Sequence, residues 1–263
     1  MIVKDNLRIT LAQVDLVWEN PEQNRLDLEI QLWKLIGKSD LVIFPETFTT
    51  GFSMRATDLA EPMHGPTVKW LINLSHATGM AIGGSLLIKD NGLFYNRFVF
   101  VTPQGEITCY DKRHLFSIGG EATLYTPGDQ RVIINFLGWR IALYVCYDIR
   151  FPVWCRNVND TDLMIFTANW PASRREVWKT LLKARAIENQ VYVAGVNRIG
   201  TDGNGITYVG ESQMVNSRGE VLKDNTLTSN GLLSFEILKS ELNDFREKFP
   251  VANDADRFLI CST

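Results

Sequence analysis

Cys146 lies at a point in the sequence where a reactive group could be presented to a ligand. The apolar run "RIALYV" ends at this cysteine, and the polar, proline-marked segment "YDIRFPVW" follows it. The run predicts a buried strand, so Cys146 is expected at the strand's carboxyl end, where open α/β sheets bind ligands. Asp148 could cap the next segment, and Pro152 suits a first helical turn. Free backbone N–H groups there are expected to lower the pKa of the thiol. The alternative is a buried structural cysteine.

A cysteine nucleophile needs a base, and the usual partner is histidine. The chain has three histidines, and only His114, in "DKRHLF", lies close to another candidate residue. A carboxylate is the other option, and Glu46 ends the apolar run "LVIFPE". Pro45 has no N–H to extend a strand's ladder, so the strand should end there. A poorly solvated carboxylate at a strand end suits proton transfer near neutral pH, whereas the competing interpretation is a capping or solvated glutamate.

Lys112 follows a third strand-like run, in "GEITCYDKRHLF". An isolated lysine is usually a surface residue. If this lysine instead points toward Glu46 and Cys146, its ammonium group supplies a point charge for an oxyanion. A thiol, a carboxylate and an ammonium at three predicted strand ends therefore form a candidate hydrolytic site.

The motifs "FPETF", "YDKRHLF" and "YVCYDIRFP" resemble those of the nitrilase superfamily of carbon–nitrogen hydrolases. The resemblance covers nearly the whole chain and extends to "ARAIENQVYV" and "TANWP". It implies a triad of Glu46, Lys112 and Cys146, with a second active-site glutamate at Glu121 in "GGEATLYTPGD". It also implies amide hydrolysis through a thioester on Cys146, an oxyanion held by Lys112 and the backbone N–H of Tyr147, and no metal or organic cofactor.

Within the superfamily, the same motifs and the chain length look most like the omega-amidase branch. That resemblance implies removal of the terminal amide of a small 2-oxo acid such as 2-oxoglutaramate. The carboxylate of such a substrate needs a cation or fixed donors. Arg174 and Arg175, just after "NWPAS", are candidates, although one or both could lie on the solvated start of the next helix. Phe116, Tyr147 and Trp170 are candidates for the pocket wall and equally for the core.

Two other functions stay open from the sequence. One is hydrolysis of a different amide or nitrile, or of an N-carbamoyl amine. The other is a non-catalytic dimeric scaffold that retains the three residues as a relic, although an intact Glu46, Lys112 and Cys146 argue against it. The resemblance also implies a homodimer that pairs through the helices after the cysteine strand and around "LLKARAIEN".

The elements that must position these residues alternate along the chain between strand-like and helical patterns, which predicts largely parallel sheets buried on both faces. The two halves resemble each other in order: "LRITLAQV" with "WRIALYVC", "SDLVIFPET" with "TDLMIFTAN", "MAIGG" with "YVAGV", and "VTPQGEI" with "VNSRGEV". Chance similarity of apolar strands is the alternative. The repeat predicts two similar sheets packed face to face with helices outside, in one domain over residues 1–263. The family resemblance implies a four-layer α-β-β-α sandwich of two similar mixed sheets.

The composition excludes several classes of function. The chain has 263 residues, 45% of them hydrophobic, and a net charge of −3, so nothing supports a nucleic-acid partner. No run approaches the ~18 apolar residues of a membrane span. Four cysteines without a C-x-x-C pair and three histidines without ligand-like spacing predict no transition-metal site. The few cysteines and the charged N-terminus indicate a protein of the cytoplasm.

Overall fold

The computed structural model describes residues 3–225 and 231–260 and contains two β-sheets that share one core. The six strands of the first sheet are β1 (Asn6–Ala12), β2 (Leu41–Ile43), β3 (Ala81–Asp90), β4 (Leu93–Val101), β5 (Ile107–Asp111) and β13 (Leu232–Leu238). The five strands of the second are β6 (Ile133–Phe136), β7 (Trp139–Val145), β8 (Leu163–Ala168), β9 (Tyr192–Asn197) and β12 (Gln213–Val215). A separate hairpin consists of β10 (Ile199–Thr201) and β11 (Thr207–Val209).

Both sheets are mixed, as the family resemblance implies. The strand orders are β13-β1-β2-β3-β4-β5 and β12-β9-β8-β7-β6. Within these two sheets, β1-β2-β3 and β7-β8-β9 pair parallel, and the outer strands pair antiparallel. The expectation of largely parallel sheets was therefore wrong. The reason is that tight turns, such as the one at Asn91 and Gly92, join neighbouring strands directly, and a short turn can connect only antiparallel strands.

Helices cover the outer faces of the sheets. The described residues form five α-helices: α1 (Pro21–Leu32), α2 (Ala56–Leu59), α3 (Pro66–Thr78), α4 (Arg175–Asn189) and α5 (Lys239–Lys248). Along β4 the side chains alternate: Phe98 and Phe100 belong to the core between the sheets, whereas Val99 and Val101 belong to the cluster that contains apolar residues of α1 and α3. Helix α4 packs on β9 and β12 of the second sheet. The layers thus follow the predicted α-β-β-α order.

The repeat between the two halves extends to an ion pair at the start of each half. The backbone N–H of Arg8 on β1 donates to Asp40 Oδ2 at 3.0 Å, and that of Arg140 on β7 donates to Asp162 Oδ2 at 3.0 Å. Each guanidinium also binds the same carboxylate, with distances of 2.9 Å and 2.6 Å between Nη2 and Oδ1. Each pair joins a strand to the residue just before the parallel strand beside it. Equivalent Arg and Asp side chains therefore form the same contact in both sheets.

No α-helix in the described parts of the chain is long and apolar enough to cross a bilayer.

Candidate active site

The three candidate catalytic residues lie at or just beyond strand ends. Cys146 follows β7 directly, Lys112 follows β5 directly, and Glu46 comes three residues after β2. Sharp backbone turns accompany two of them: Cys146 has a φ of 42°, and Thr47, beside Glu46, has a φ of 44°. Left-handed conformations are costly for residues with a Cβ and persist where surrounding contacts enforce them. The turns move each side chain out of its strand and into one cavity.

Glu46, Lys112 and Glu121 form a buried charge cluster. Lys112 Nζ lies 2.8 Å from Glu46 Oε1 and 2.8 Å from Glu121 Oε2, and the three side chains are at most 1% exposed. Glu121 belongs to a single 3₁₀ turn, and its Oε2 also accepts the backbone N–H of Phe116 at 2.6 Å. The structure therefore brings Glu121 to the predicted triad. One ammonium group stands between two carboxylates, so the cluster carries both a fixed cation and a basic oxygen.

Two asparagines complete the cluster, and the sequence analysis missed both. Asn96 Nδ2 donates to Glu46 Oε1 at 2.8 Å and to Glu121 Oε1 at 3.0 Å. The backbone N–H of Asn169 donates to Glu46 Oε2 at 2.9 Å, and its side chain donates to the backbone oxygen of Glu46. Asn169 lies within "TANWP", so the family resemblance contained a signal for it. Asn96 lies in the middle of β4, where nothing in the local sequence distinguishes it.

The electrostatics of the cluster correct the expected acidity of the nucleophile. Burial, the charge of Glu46 and a hydrogen bond to Glu46 raise the pKa of the Cys146 thiol well above its usual value, and the opposing charge of Lys112 is too weak to reverse this. The prediction of a lowered pKa was therefore wrong. Burial opposes the charge of Lys112, but Glu121 and Glu46 together raise its pKa. Burial also raises the pKa of Glu121, against the effect of Lys112.

The segment after Cys146 also differs from the prediction. A 3₁₀ helix runs over Cys146–Arg150, so helical backbone begins at the cysteine, and Pro152 lies in the turn that follows. Asp148 does not cap a later helix: its carboxylate accepts the backbone N–H of Val145, the residue before the cysteine, at 3.0 Å. Tyr147 is in the first turn of the 3₁₀ helix, where backbone N–H groups have no acceptor within the helix. A role for this N–H in binding an oxyanion stays a prediction.

A cavity of about 160 Å³ opens above the cluster. Glu46, Lys112 and Cys146 all contribute to its lining. The predicted wall residues Phe116, Tyr147 and Trp170 line it, and so does Arg174, a candidate for the substrate carboxylate. The lining residues that the sequence analysis missed are Phe52, Met54, Gly119, Arg150, Asn169, Pro171, Asn204, Ile206 and Tyr208. Three of these come from the β10–β11 hairpin and the loop between its strands, which carried no motif.

Two arginines of the lining have no ion-pair partner among the described residues. Arg174 stands over the ring of Phe116 at 5.2 Å, and Arg150 stands over the ring of Trp170 at 5.3 Å. Arg175 differs from both. It is half exposed, lies outside the cavity and binds Glu211 at 2.7 Å, so its assignment to substrate binding was wrong. The cause is helical phase: α4 starts at Arg175, and the rotation between consecutive residues turns this side chain away from the cavity.

No group of three or more His, Cys, Asp or Glu side chains within residues 3–225 and 231–260 is arranged to hold a metal ion. His114 is not among the residues that line the cavity with Cys146; its Nδ1 lies 2.8 Å from Asp148 Oδ1.

The geometry defines a buried Glu-Lys-Cys site on an α-β-β-α sandwich, and comparison with known proteins assigns the class. The family model described as carbon-nitrogen hydrolase matches residues 8–247, and this chain belongs to that family. Omega-amidase YafV of Escherichia coli strain K12 is 43% identical over 97% of this chain and 98% of its own length. The 2-oxoglutaramate amidase of Bacillus subtilis is 31% identical, over 95% and 98% of the two chains.

A solved structure supports the fold at the same level of identity. The carbon-nitrogen hydrolase superfamily protein XC1258 of Xanthomonas campestris, described with an arsenic adduct in its active site, is 43% identical to this chain. The two superpose with a TM-score of 0.94 over 98% of this chain and all of the other. Nit3 of Saccharomyces cerevisiae, at 21% identity, has the same fold with a TM-score of 0.83 over 95% and 97% of the two chains.

Proposed function

We propose that this protein is an omega-amidase that hydrolyses the terminal amide of a small 2-oxo acid, with 2-oxoglutaramate giving 2-oxoglutarate and ammonia. The observation that carries the proposal is the cavity itself. A thiol, a carboxylate and a buried ammonium contribute to its lining, and so do two guanidinium groups that have no ion-pair partner among the described residues. A short substrate with an amide at one end and a carboxylate at the other would use both sets of groups. The two named amidases, similar over nearly their whole lengths, support the same assignment.

Acylation begins with a neutral thiol. Because the pKa of Cys146 is raised, the sulfur has to lose its proton as it attacks the amide carbon, and Glu46 is the hydrogen-bonded base that takes it. Negative charge develops on the amide oxygen, where Lys112 and the backbone N–H of Tyr147 stabilise it. Removing one such donor typically costs on the order of a hundredfold or more in rate. Glu46 then returns its proton to the leaving nitrogen, and ammonia departs from a thioester on Cys146.

Deacylation uses the same groups in the reverse proton order. A water molecule attacks the thioester carbon, Glu46 accepts its proton, and Lys112 and Tyr147 again hold the oxyanion. The tetrahedral intermediate collapses by breaking the carbon–sulfur bond, the proton returns from Glu46 to the sulfur, and the carboxylic acid product leaves. No step requires a metal or an organic cofactor.

Glu121 and Asn96 serve this cycle by fixing the reacting groups. Glu121 holds the ammonium of Lys112 through both of its oxygens, at 2.8 and 3.0 Å. Asn96 ties Glu121 to Glu46. These contacts hold Lys112 beside Glu46, the carboxylate that transfers the proton. Preorganised charges of this kind stabilise a transition state without reorganising during the reaction.

Arg174 and Arg150 are the candidates for the substrate carboxylate. A guanidinium binds a carboxylate through two parallel N–H donors, and neither arginine has an ion-pair partner among the described residues that would compete. The aromatic rings beneath them, Phe116 and Trp170, keep both side chains against the cavity wall. Arg175, already paired with Glu211, is the matched control.

A substrate panel tests the proposed reaction. Ammonia release is measured for wild type and Cys146→Ala with 2-oxoglutaramate, glutamine and an N-carbamoyl amine. We expect turnover of the oxo acid to exceed that of the other two, and to disappear in Cys146→Ala. Turnover of the oxo acid that is absent, or no higher than that of the other two compounds, would rule out the omega-amidase assignment. A preference for the carbamoyl compound would indicate an N-carbamoyl amine hydrolase instead.

The arginines are tested separately with Arg174→Ala, Arg150→Ala and Arg175→Ala. We expect either of the first two changes to raise KM for 2-oxoglutaramate about tenfold or more, because each removes a charge-assisted contact worth roughly 1.5–3 kcal/mol. Arg175→Ala should leave KM within about twofold. Equal effects at Arg174 and Arg175 would contradict the assignment.

Assembly and location are further parts of the proposal. We propose that the chain is a single domain, because the family match covers residues 8–247 and both sheets share one core. We also propose, on the basis of family resemblance, that it forms a homodimer in the cytoplasm. Light scattering on the purified protein tests the dimer: a molar mass near twice the 29.9 kDa of one chain is expected, and a monomer would exclude it.

A further inference from the structure

The mechanism leaves a buried carboxylate beside the nucleophile unused, that of Asp148. Its side chain is fully buried and lies two residues after Cys146. Both oxygens are occupied: Oδ1 lies 2.9 Å from the backbone nitrogen and 2.8 Å from Nδ1 of His114, and Oδ2 lies 2.7 Å from the hydroxyl of Tyr110 and 3.0 Å from the backbone nitrogen of Val145. Because a carboxylate only accepts hydrogen bonds, His114 carries its proton on Nδ1.

The donors to Asp148 lie close in sequence to Lys112 and to Cys146. Tyr110 lies two residues before Lys112 and His114 two residues after it, so the same carboxylate holds the chain on both sides of the lysine. Val145 directly precedes Cys146 and Asp148 follows it by two, so the carboxylate also brackets the nucleophile. The two catalytic residues directly follow strands of different sheets, β5 and β7. Hydrogen bonds to Asp148 therefore link the segment around Lys112 to the segment around Cys146.

The backbone at Cys146 needs such support. A φ of 42° is strained at a residue with a side chain, so surrounding contacts have to maintain it. The bond from Val145 to Asp148 closes the turn over the cysteine. His114 holds the carboxylate from the other side, and its ring lies flat on Phe151, with 3.6 Å between centroids and 6° between planes. Trp154 donates to the Tyr110 hydroxyl at 3.0 Å and fixes the remaining donor.

We propose that His114 and Asp148 form a clamp that positions Cys146 relative to Lys112. Asp148 and His114 are positioning residues that act through the backbone and touch no reacting atom. The clamp sets the direction of the sulfur and the site of the oxyanion together, because Tyr147, whose N–H would hold that oxyanion, lies between Cys146 and Asp148. This inference rests on the proposed role of Cys146 as the nucleophile.

Two substitutions at His114 separate the hydrogen bond from the packing. His114→Asn places an amide N–H where Nδ1 lies and removes the stacked ring. His114→Phe keeps a ring against Phe151 and removes the donor. The side chain is 22% exposed, so both variants should fold, whereas a change at the fully buried Asp148 would be harder to interpret. His76→Phe, at an exposed histidine on α3, is the control for surface effects.

Two measurements are made on each variant. The first is kcat and KM for 2-oxoglutaramate, and the second is the rate of Cys146 alkylation by iodoacetamide, followed by mass spectrometry of the peptide that contains it. We expect His114→Phe to lower kcat and the alkylation rate on the order of tenfold with KM within twofold, since small displacements of reacting groups are costly. His114→Asn should retain both rates within about threefold.

The outcomes separate the clamp from a purely structural contact and from the proposed function. If His114→Phe lowers the melting temperature but leaves kcat and the alkylation rate unchanged, or if His114→Asn loses as much as His114→Phe, the clamp is refuted. Alkylation needs no substrate. Failure of wild type to hydrolyse any amide would therefore refute the proposed function, while the alkylation rates would still decide whether the clamp positions the thiol.

Discussion

Replacing Lys112 with methionine removes one charge from the buried cluster and keeps a side chain of similar length. In the wild type the ammonium lies 2.8 Å from a carboxylate oxygen of Glu46 and 2.8 Å from one of Glu121, and all three side chains are excluded from solvent. The variant leaves two carboxylates in a buried site with no cation. Breaking a buried ion pair by removing one partner typically costs about 3–5 kcal/mol. We expect a loss of that size in the free energy of unfolding at about pH 8.

The loss should depend on pH in a defined direction. Burial raises the pKa of Glu121 and the charge of Lys112 lowers it, so Lys112→Met raises this pKa further. The folded variant then binds more protons than the unfolded chain, and its stability falls as pH rises. The difference from wild type should shrink toward about pH 6, by up to about 1.4 kcal/mol per pH unit for each proton taken up.

Urea unfolding of wild type, Lys112→Met and Lys183→Met at the two pH values measures the effect. Lys183 is an exposed lysine on α4, and its replacement should change the free energy of unfolding by no more than about 0.5 kcal/mol. A Lys112→Met variant as stable as Lys183→Met at the higher pH, or one that becomes less stable as pH falls toward 6, would refute the account of the cluster as two buried carboxylates stabilised by one ammonium.

Three further predictions follow from single residues. Cys146→Ala should lower kcat by about 10⁴-fold or more while the circular dichroism spectrum stays unchanged, and residual activity near wild type would exclude a thioester. Glu46→Gln should abolish proton transfer yet lower the pKa of Cys146, because the charge of Glu46 is, after burial, the main cause of its elevation; ultraviolet titration of the thiolate measures this, and an unchanged or higher midpoint would contradict it. Asp40→Asn should destabilise the protein by about 1 kcal/mol near neutral pH. Burial opposes ionisation of Asp40, but hydrogen bonds from Arg8 and Lys4 lower its pKa to about 2, so the contribution is present above the ordinary pKa of 3.8 and is lost as pH falls toward 2. If the free energy of unfolding of wild type and that of Asp40→Asn differ by the same amount at every acidic pH, this role of Asp40 would be contradicted.

The sequence predicted the residues that stand at strand ends. Glu46, Lys112 and Cys146 each close an apolar run, and a side chain at the end of a buried strand reaches the rim of a sheet whichever strands are its neighbours. The meeting of the three therefore required only the face-to-face packing that the repeat indicates. Asn96 could not be found this way, because it lies inside β4 and its role depends on which two glutamates meet there.

The assignment of Arg175 to the substrate and the acidity of Cys146 fail for different reasons. Arg174 and Arg175 are identical as sequence signals, and one residue of helical rotation separates a lining side chain from one paired with Glu211. For Cys146, the 3₁₀ helix supplies the N–H groups that the sequence indicates, but burial and the charge of Glu46 have the larger effect on the pKa. Burial and distances between charges are properties of the folded chain, and no local pattern contains them.

The raised pKa of the thiol is consistent with catalysis when the charges are counted through the reaction. At rest the cluster contains two carboxylates and one ammonium. A thiolate formed in advance would add a third negative group around a single cation, in a site from which water is excluded. If the proton instead passes to Glu46 while the sulfur attacks, one carboxylate is neutralised as the oxyanion appears, and the net charge of the site does not change. The new charge arises next to Lys112, which Glu121 continues to hold. Two carboxylates therefore have two tasks: Glu46 moves the proton, and Glu121 keeps the ammonium in place when Glu46 loses its charge.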